Sequence, residues 1–386
     1  MKRLLLSTVA ACVVAGSLSG GAITLYQDPN SGAVYTKDAP GRIKLGDFIS
    51  VKDIKEAKSK TAKALKVTQV NAKVPVLKFS GTHYLGYTYT DYEDDSKESS
   101  SKFETRRNYL QIKAYWNKKD YMRVTLDTYQ DKTDDWKVRL KYAYVYFSDV
   151  LPNTGMEFGQ AHRPWIDYEE HNGWLYRSIA KVFVEEHNGA HLTNSADLGV
   201  NFKTKTPYFS SEIGLFNGEG YHGRQSGNSL SFEWRLTANL LGTGKKHVHL
   251  DDEYAKVSFL GQQNSKYKGA DDLNWWGIHA VYNQPLFLLA AMYVDSDNEG
   301  GSHEGKGYSV NAEVRPIEKW SFIGRYDDWT DKSKSDEPHK KEYIVGVAYK
   351  YNKNVKMLAN IFSIDPNDNV DDDKKTKYML TTEVKW

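Results

Sequence analysis

A short internal repeat in the sequence could bind a metal: Glu169-Glu170-His171-Asn172-Gly173 returns as Glu185-Glu186-His187-Asn188-Gly189, and His191 follows. Imidazoles and carboxylates together ligate divalent cations, and His187 and His191 are four apart, as on one helical face. Gly189 between them works against a rigid helix, and each Asn-Gly pair has the composition of a turn. His171, His187 and His191 are therefore weak metal candidates, and no cofactor is implied. Covalent catalysis has less support still: there is no Gly-x-Ser-x-Gly elbow, and Gly242-Thr243-Gly244-Lys245-Lys246 is too short for a phosphate loop. The expectation is a protein that catalyses no reaction. What remains is charge. Lys113, Arg123, Lys137, Arg139, Lys141 and Arg235 sit at alternating positions of apolar-polar stretches, while Asp167, Glu169, Glu170, Glu185 and Glu186, with Arg177 and Lys181 among them, share one segment.

Strands must hold those charges. From Val76 onward, about sixteen stretches of roughly ten residues alternate apolar and polar side chains. They run over 76–90, 105–116, 121–130, 136–148, 154–160, 195–204, 208–216, 229–241, 253–261, 273–283, 286–295, 307–315, 319–329, 342–350, 355–363 and 376–386. In the eighth, Phe232, Trp234 and Leu236 alternate with Ser231, Glu233 and Arg235. Short connections such as Lys118-Lys119 and Pro316-Ile317-Glu318 alternate with long polar ones such as 93–104, 217–228 and 296–306, and only 242–252 breaks the pattern. Trp116, Trp136, Trp320, Trp329 and Trp386 stand at strand ends, where aromatic girdles meet a membrane interface. Past the N-terminus, no apolar run approaches the roughly 20 residues of a spanning helix, so a membrane crossing has to be a closed all-β antiparallel barrel.

Lys2 and Arg3, then an apolar run from Leu4 to about Gly16 and small residues up to Ala22, read as a signal peptide over 1–22. Its removal takes away the only cysteine, Cys12, and leaves 50 basic against 50 acidic residues of the original 52 and 50. That balance gives no reason to expect a nucleic-acid partner. Residues 23–75 read as a periplasmic leader with a hairpin at 28–32 and a helix over Val51–Lys66, ahead of a barrel at 76–386.

With EFGQAHRPW (157–165), DLGVNFKTKTPYFSSEIGLFNGEG (197–220), SFEWRLTANLLG (231–242) and SFIGRYDDW (321–329), the chain resembles the Gram-negative outer-membrane porins, specifically the phosphate-selective porin O and P type group. The resemblance implies a sixteen-stranded, trimeric diffusion channel in contact with outer-membrane lipids. Its solutes would be small and hydrophilic, or anions. The closing aromatic Trp386 is similar to the signature read by the barrel-assembly machinery. The resemblance also implies a third loop folded into the pore, here Ala161–Asn194. Within it, Trp174–Glu186 has helical spacing, with Leu175, Ile179, Val182 and Phe183 toward the wall and Arg177, Lys181 and Glu185 toward solvent. A basic wall facing acidic Asp167, Glu169, Glu170, Glu185 and Glu186 would set up a transverse field that penalises apolar solutes. This mixture favours passive diffusion over a phosphate filter. An outer-membrane enzyme, a structural anchor and a soluble sugar-binding β-protein are the competing classes.

The face assignment is testable. Changing Arg123, Arg139 and Lys141 to glutamate should turn the channel toward cations. Arginine at Leu236 or Val347 should impair insertion, at about 2–4 kcal/mol near the bilayer midplane, read as loss of the folded species in membrane extracts.

Overall fold

The computed structural model describes residues 23–48, 75–131, 133–223, 230–243, 251–265, 272–298, 301, 303–367 and 374–386. The signal peptide expected at 1–22, with Cys12, and the helix expected at Val51–Lys66 lie outside them. Residues 23–48 form an antiparallel sheet of β1 (Ile23–Gln27), β2 (Val34–Tyr35) and β3 (Ile43–Phe48), ordered β2-β1-β3. Asp28 shapes its hairpin by accepting the Asn30 N–H at 2.8 Å, and Gly32 completes the turn at φ +70°.

The second unit is a closed barrel of sixteen antiparallel strands. In chain order these are β4 (Val76–Tyr92), β5 (Ser100–Tyr115), β6 (Tyr121–Gln130), β7 (Trp136–Leu151), β8 (Thr154–His162), β9 (Ala196–Lys205), β10 (Phe209–Phe216), β11 (Ser231–Leu241), β12 (Tyr254–Asn264), β13 (Leu273–Gln284), β14 (Phe287–Asp297), β15 (Gly305–Ile317), β16 (Trp320–Asp331), β17 (His339–Lys350), β18 (Val355–Asp365) and β19 (Lys375–Lys385). Each pairs with its sequence neighbours, and β19 closes on β4 in a register from Lys375 opposite Tyr92 to Lys385 opposite Thr82. Every expected strand is present, although β5 begins five residues earlier than the polar composition of 93–104 suggests.

The side-chain period of two sorts residues to opposite faces. Phe232, Ile278, Leu289, Phe322, Val345, Ile361 and Leu380 are exposed on the outside, the band that acyl chains would cover. Inside, the wall has two halves. β4 to β9 present tyrosines, lysines and arginines. β12 to β19 present apolar groups, among them Leu260, Trp275, Met292, Val294, Ile323, Trp329, Ile344, Leu358 and Phe362, all buried.

The cover for those apolar groups is the connection at 163–195. Its Trp165, Trp174, Tyr176, Ile179, Val182, Phe183, Val184 and Leu192 join them in one hydrophobic cluster, and burying each large side chain contributes about 1.5–3 kcal/mol relative to exposure. Its helix, α1 (Ile166–Asn172), lies earlier than expected. Asp167 and Glu169 suit the positive end of α1, and Gly173 ends it by donating its N–H to the Glu169 carbonyl at 2.8 Å. Trp174–Glu186 instead forms separate turns, with Ile179 N–H to Tyr176 O at 2.9 Å and Glu185 N–H to Val182 O at 2.9 Å. One-faced amphipathicity fails there because the segment is enclosed on several sides, and the turns bury Tyr176 and Val184 as well as Ile179 and Phe183. Trp329 is also not an interface residue: it points inward, 2 % exposed, with its ring 6.2 Å from that of Phe183.

Trp386 lies outside, and its indole N–H donates to His83 Nε2 at 3.1 Å. It covers Gly81, where a Cβ would come within 2.5 Å of the indole ring. Gly81→Val should therefore displace the indole, change tryptophan fluorescence and lower barrel stability by about 1–3 kcal/mol in a thermal melt.

Candidate functional site

A small space in the lumen lies between the 163–195 connection and the wall of β4 to β9. It measures about 170 Å³, and its lining includes Arg107, Arg123, Tyr84, Tyr109 and Tyr142 on the wall and Asp167, Glu170, His171, Leu175 and Arg177 on the connection. Toward the short turns it opens into two wider spaces. One, of about 870 Å³, shares Leu175, Glu383 and Lys385 with it, and the other, of about 390 Å³, shares Asp167 and His171.

The wall cations are held mostly by aromatic rings. Arg107 lies over Tyr84 and Tyr109 at 5.0 and 4.4 Å, Arg123 over Tyr142 at 4.5 Å, and Lys113 over Tyr121 at 4.7 Å. Arg123 also donates to Tyr144 Oη at 3.3 Å and lies 3.1 Å from His162 Nε2. Among the described residues none of these three cations has a carboxylate within ion-pair distance. A ring face stabilises a cation without cancelling its charge, so the charge stays available to a solute.

The other expected pore residues differ in role. Arg139 is paired with Asp127 at 2.7 Å, and Lys137 stands with Asp131 near the loop end. Lys141 is 1 % exposed and bonds Ser195 Oγ, so it ties the connection to the wall and does not face the passage. Reversing its charge would put a carboxylate in that buried position, so the three-residue exchange is not a clean test of ion preference. Arg235 donates to Pro164 O at 3.1 Å and Glu212 at 3.1 Å, fixing the start of the connection.

The acidic set is also divided. Only Asp167 and Glu170 line the narrow space. Glu186 accepts the Lys181 N–H at 2.7 Å, and Lys181 itself is exposed. In place of meeting solvent as expected, Arg177 and Glu185 pair with each other, Glu185 buried and Arg177 half-buried at the edge of the space, with a second contact from Arg177 to Glu170 at 3.2 Å. Burial pushes the Glu185 carboxyl up, but the Arg177 guanidinium overrides it and holds the carboxyl at about 2. Glu169 lies under the Trp165 indole, whose N–H donates at 2.5 Å, and burial raises its carboxyl to about 7.

Alternation in β5 points to Arg107 but not to Arg106. A bulge opposite Tyr84 and Leu85 turns both inward. Arg106 then reaches Thr381 Oγ1 at 2.8 Å and Ser178 O at 2.9 Å, binding the connection to the closing strand. The candidate metal residues do not converge. His171 is exposed on α1, while the His187 and His191 rings are 5.1 Å apart. Among the described residues no group of three His, Cys, Asp or Glu is arranged to hold a metal ion. Trp116, Trp136 and Trp320 are exposed at strand ends.

No family model matches this chain, and no curated protein matches it either. Solved structures do. An anion-selective porin from Comamonas acidovorans is 12% identical with TM-score 0.58 over 81% of this chain and 99% of that one. OprB of Pseudomonas putida is 9% identical with TM-score 0.59 over 84% and 97%. A loop-deletion mutant of OmpT, an outer membrane protein of Vibrio cholerae, is 11% identical with TM-score 0.57 over 81% and 100%. The shared feature is the fold, a large closed barrel of the kind found in Gram-negative outer-membrane porins. One expectation is corrected by this set. OmpT chains stand among the neighbours beside the porins, so the exclusion of enzymatic activity is withdrawn.

Arg177→Gln should leave Glu185 buried without its cation and loosen the connection by about 3–5 kcal/mol, seen as greater single-channel current noise. The pH dependence has two limbs. Glu185 is depressed in the folded state, so its contribution is full above the ordinary glutamate value of about 4.3 and fades as pH falls toward 2. Glu169 is raised, so its contribution is full below about 4.3 and fades as pH rises toward 7. Wild-type noise should rise on both limbs. Arg177→Gln should remove the acid limb and Glu169→Gln the neutral one.

Proposed function

We propose that the chain is a porin-type channel of the outer membrane, through which small hydrophilic solutes and ions diffuse passively. The observation that carries this reading is the constriction itself, with Arg107 and Arg123 facing Asp167 and Glu170 across about 170 Å³ of a closed barrel. Opposed charges across so small a gap hold oriented water, which an apolar solute would have to displace. The apolar half of the interior, covered by the connection, confines transit to the charged half.

A phosphate-selective filter is the second reading. Lys113, Arg107 and Arg123 favour it by lacking carboxylate partners among the described residues. Asp167 and Glu170 weigh against it, since they repel a dianion in the same space. Export through the 1–22 segment, a leader over 23–75, trimer formation and recognition of the last strand by the assembly machinery belong to the same proposal. The outer band of exposed apolar residues and the terminal Trp386 are in keeping with it.

The test is single-channel recording of detergent-purified protein in a planar bilayer, with reversal potential in a KCl gradient before and after phosphate addition. Steps in multiples of three with weak ion preference and no phosphate block are expected. Strong anion preference with micromolar phosphate block would replace this reading with the filter, and silence from a folded, inserted barrel would overturn both.

A further inference from the structure

Resting on the channel reading, the constriction can be assigned a solute class. We infer that it is a transient binding site for small organic monocarboxylates, with the carboxylate on Arg107 and Arg123 and the carbon body against the tyrosine wall and Leu175.

The first support is the state of the two guanidiniums. Arg163, Arg177 and Arg235 are all neutralised by glutamates of the fold. Arg107 and Arg123 instead lie over tyrosine rings at 4.4 and 4.5 Å and line the same space. A planar guanidinium presents parallel N–H donors that match the two oxygens of a carboxylate. In these two residues, that capacity is not taken up by an acidic side chain.

The second support is what surrounds them. Thr82, His162, His171, Arg177, Ser195 and Lys385 also line the space and supply polar contacts, while Tyr84, Tyr109 and Tyr142 contribute ring surface and Ile166 and Leu175 aliphatic side chains. The rings and aliphatic groups suit the apolar body of an organic acid. Asp167, Glu170 and Glu383 line the same space, with Glu170 paired to Arg177 at 3.2 Å, and their repulsion offsets part of the attraction of the two guanidiniums, which keeps the binding weak. The volume of about 170 Å³ is small beside the roughly 300–1,000 Å³ of drug-sized pockets, so the part of the solute held between the two arginines and the connection is compact. Binding that is weak and reversible retards passage without blocking it.

The probe is 4-fluorobenzoate, followed by ¹⁹F NMR line broadening with the detergent-folded full-length protein and, in parallel, by current fluctuations in KCl. Wild type should broaden the signal in the millimolar range. Unfluorinated benzoate should displace it better than acetate, phosphate or glycine. Arg107→Gln with Arg123→Gln should weaken binding about tenfold, the loss of a charge-assisted contact, while far-UV circular dichroism shows that the variant barrel still folds. Equal competition by phosphate or by glycine would overturn the inference, as would binding unchanged in the double variant. A folded barrel that binds fluorobenzoate through these arginines but passes no current would uphold the site and overturn the channel reading. Normal KCl current with no fluorobenzoate binding would do the reverse.

Discussion

The hydrocarbon of a bilayer offers no hydrogen-bond partner, so the pairing of β19 with β4 governs everything else in this molecule. An unpaired edge on either strand would leave a row of N–H and C=O groups in lipid, each costing several kcal/mol. The register from Lys375–Tyr92 to Lys385–Thr82 removes that edge, and the Gly81 N–H extends it to the Trp386 carbonyl at 2.8 Å. Closure also settles which side chains face inward. Thr381 and Glu383 of the last strand enter the lumen together with Tyr84 and Thr88 of the first, and there they meet Arg106 and Ser178.

A closed cylinder has to decide what fills it. Here the answer differs around the circumference, because β12 to β19 turn large apolar side chains inward that water alone would not cover favourably. The 163–195 connection resolves this by bringing its own apolar residues to that half. Polar ties then hold it: Arg163 to Glu233 at 2.8 Å, Lys256 to Asn172 at 2.5 Å, Ser178 to Glu383 at 2.6 Å and Arg325 to Lys181 O at 2.5 Å. The passage is what remains, bounded by tyrosines and arginines on one side and the charged margin of the connection on the other. Its narrowness therefore follows from hydrophobic burial on the opposite wall.

Burial also changes what the charges can do. Glu185 and Arg177 serve mainly each other, and Glu169 lies in an apolar setting that favours its neutral form. Among the described residues Arg107, Lys113 and Arg123 rest on tyrosine rings with no carboxylate in ion-pair distance, and these keep their charge for a solute.

Alternation with a period of two, the short and long connections, and the apolar closing strand that ends in Trp386 determined the barrel, its strand number and its lipid-facing side from sequence alone, because each is a local pattern repeated many times. Lys113, Arg123 and Arg235 could be placed on the inner face by the same rule. The tertiary structure alone decided which inward charges meet water. Arg106 depends on a bulge set by the neighbouring strand. Lys141, Arg177 and Glu185 depend on contacts between residues far apart in the chain. Trp329 has the strand-end position of an interface residue but faces inward, where Phe183 of the connection packs against it. The helical spacing of Trp174–Glu186 gave way to turns for the same reason: a segment enclosed by a barrel is shaped by the walls around it, and one chain read in order contains no record of those walls.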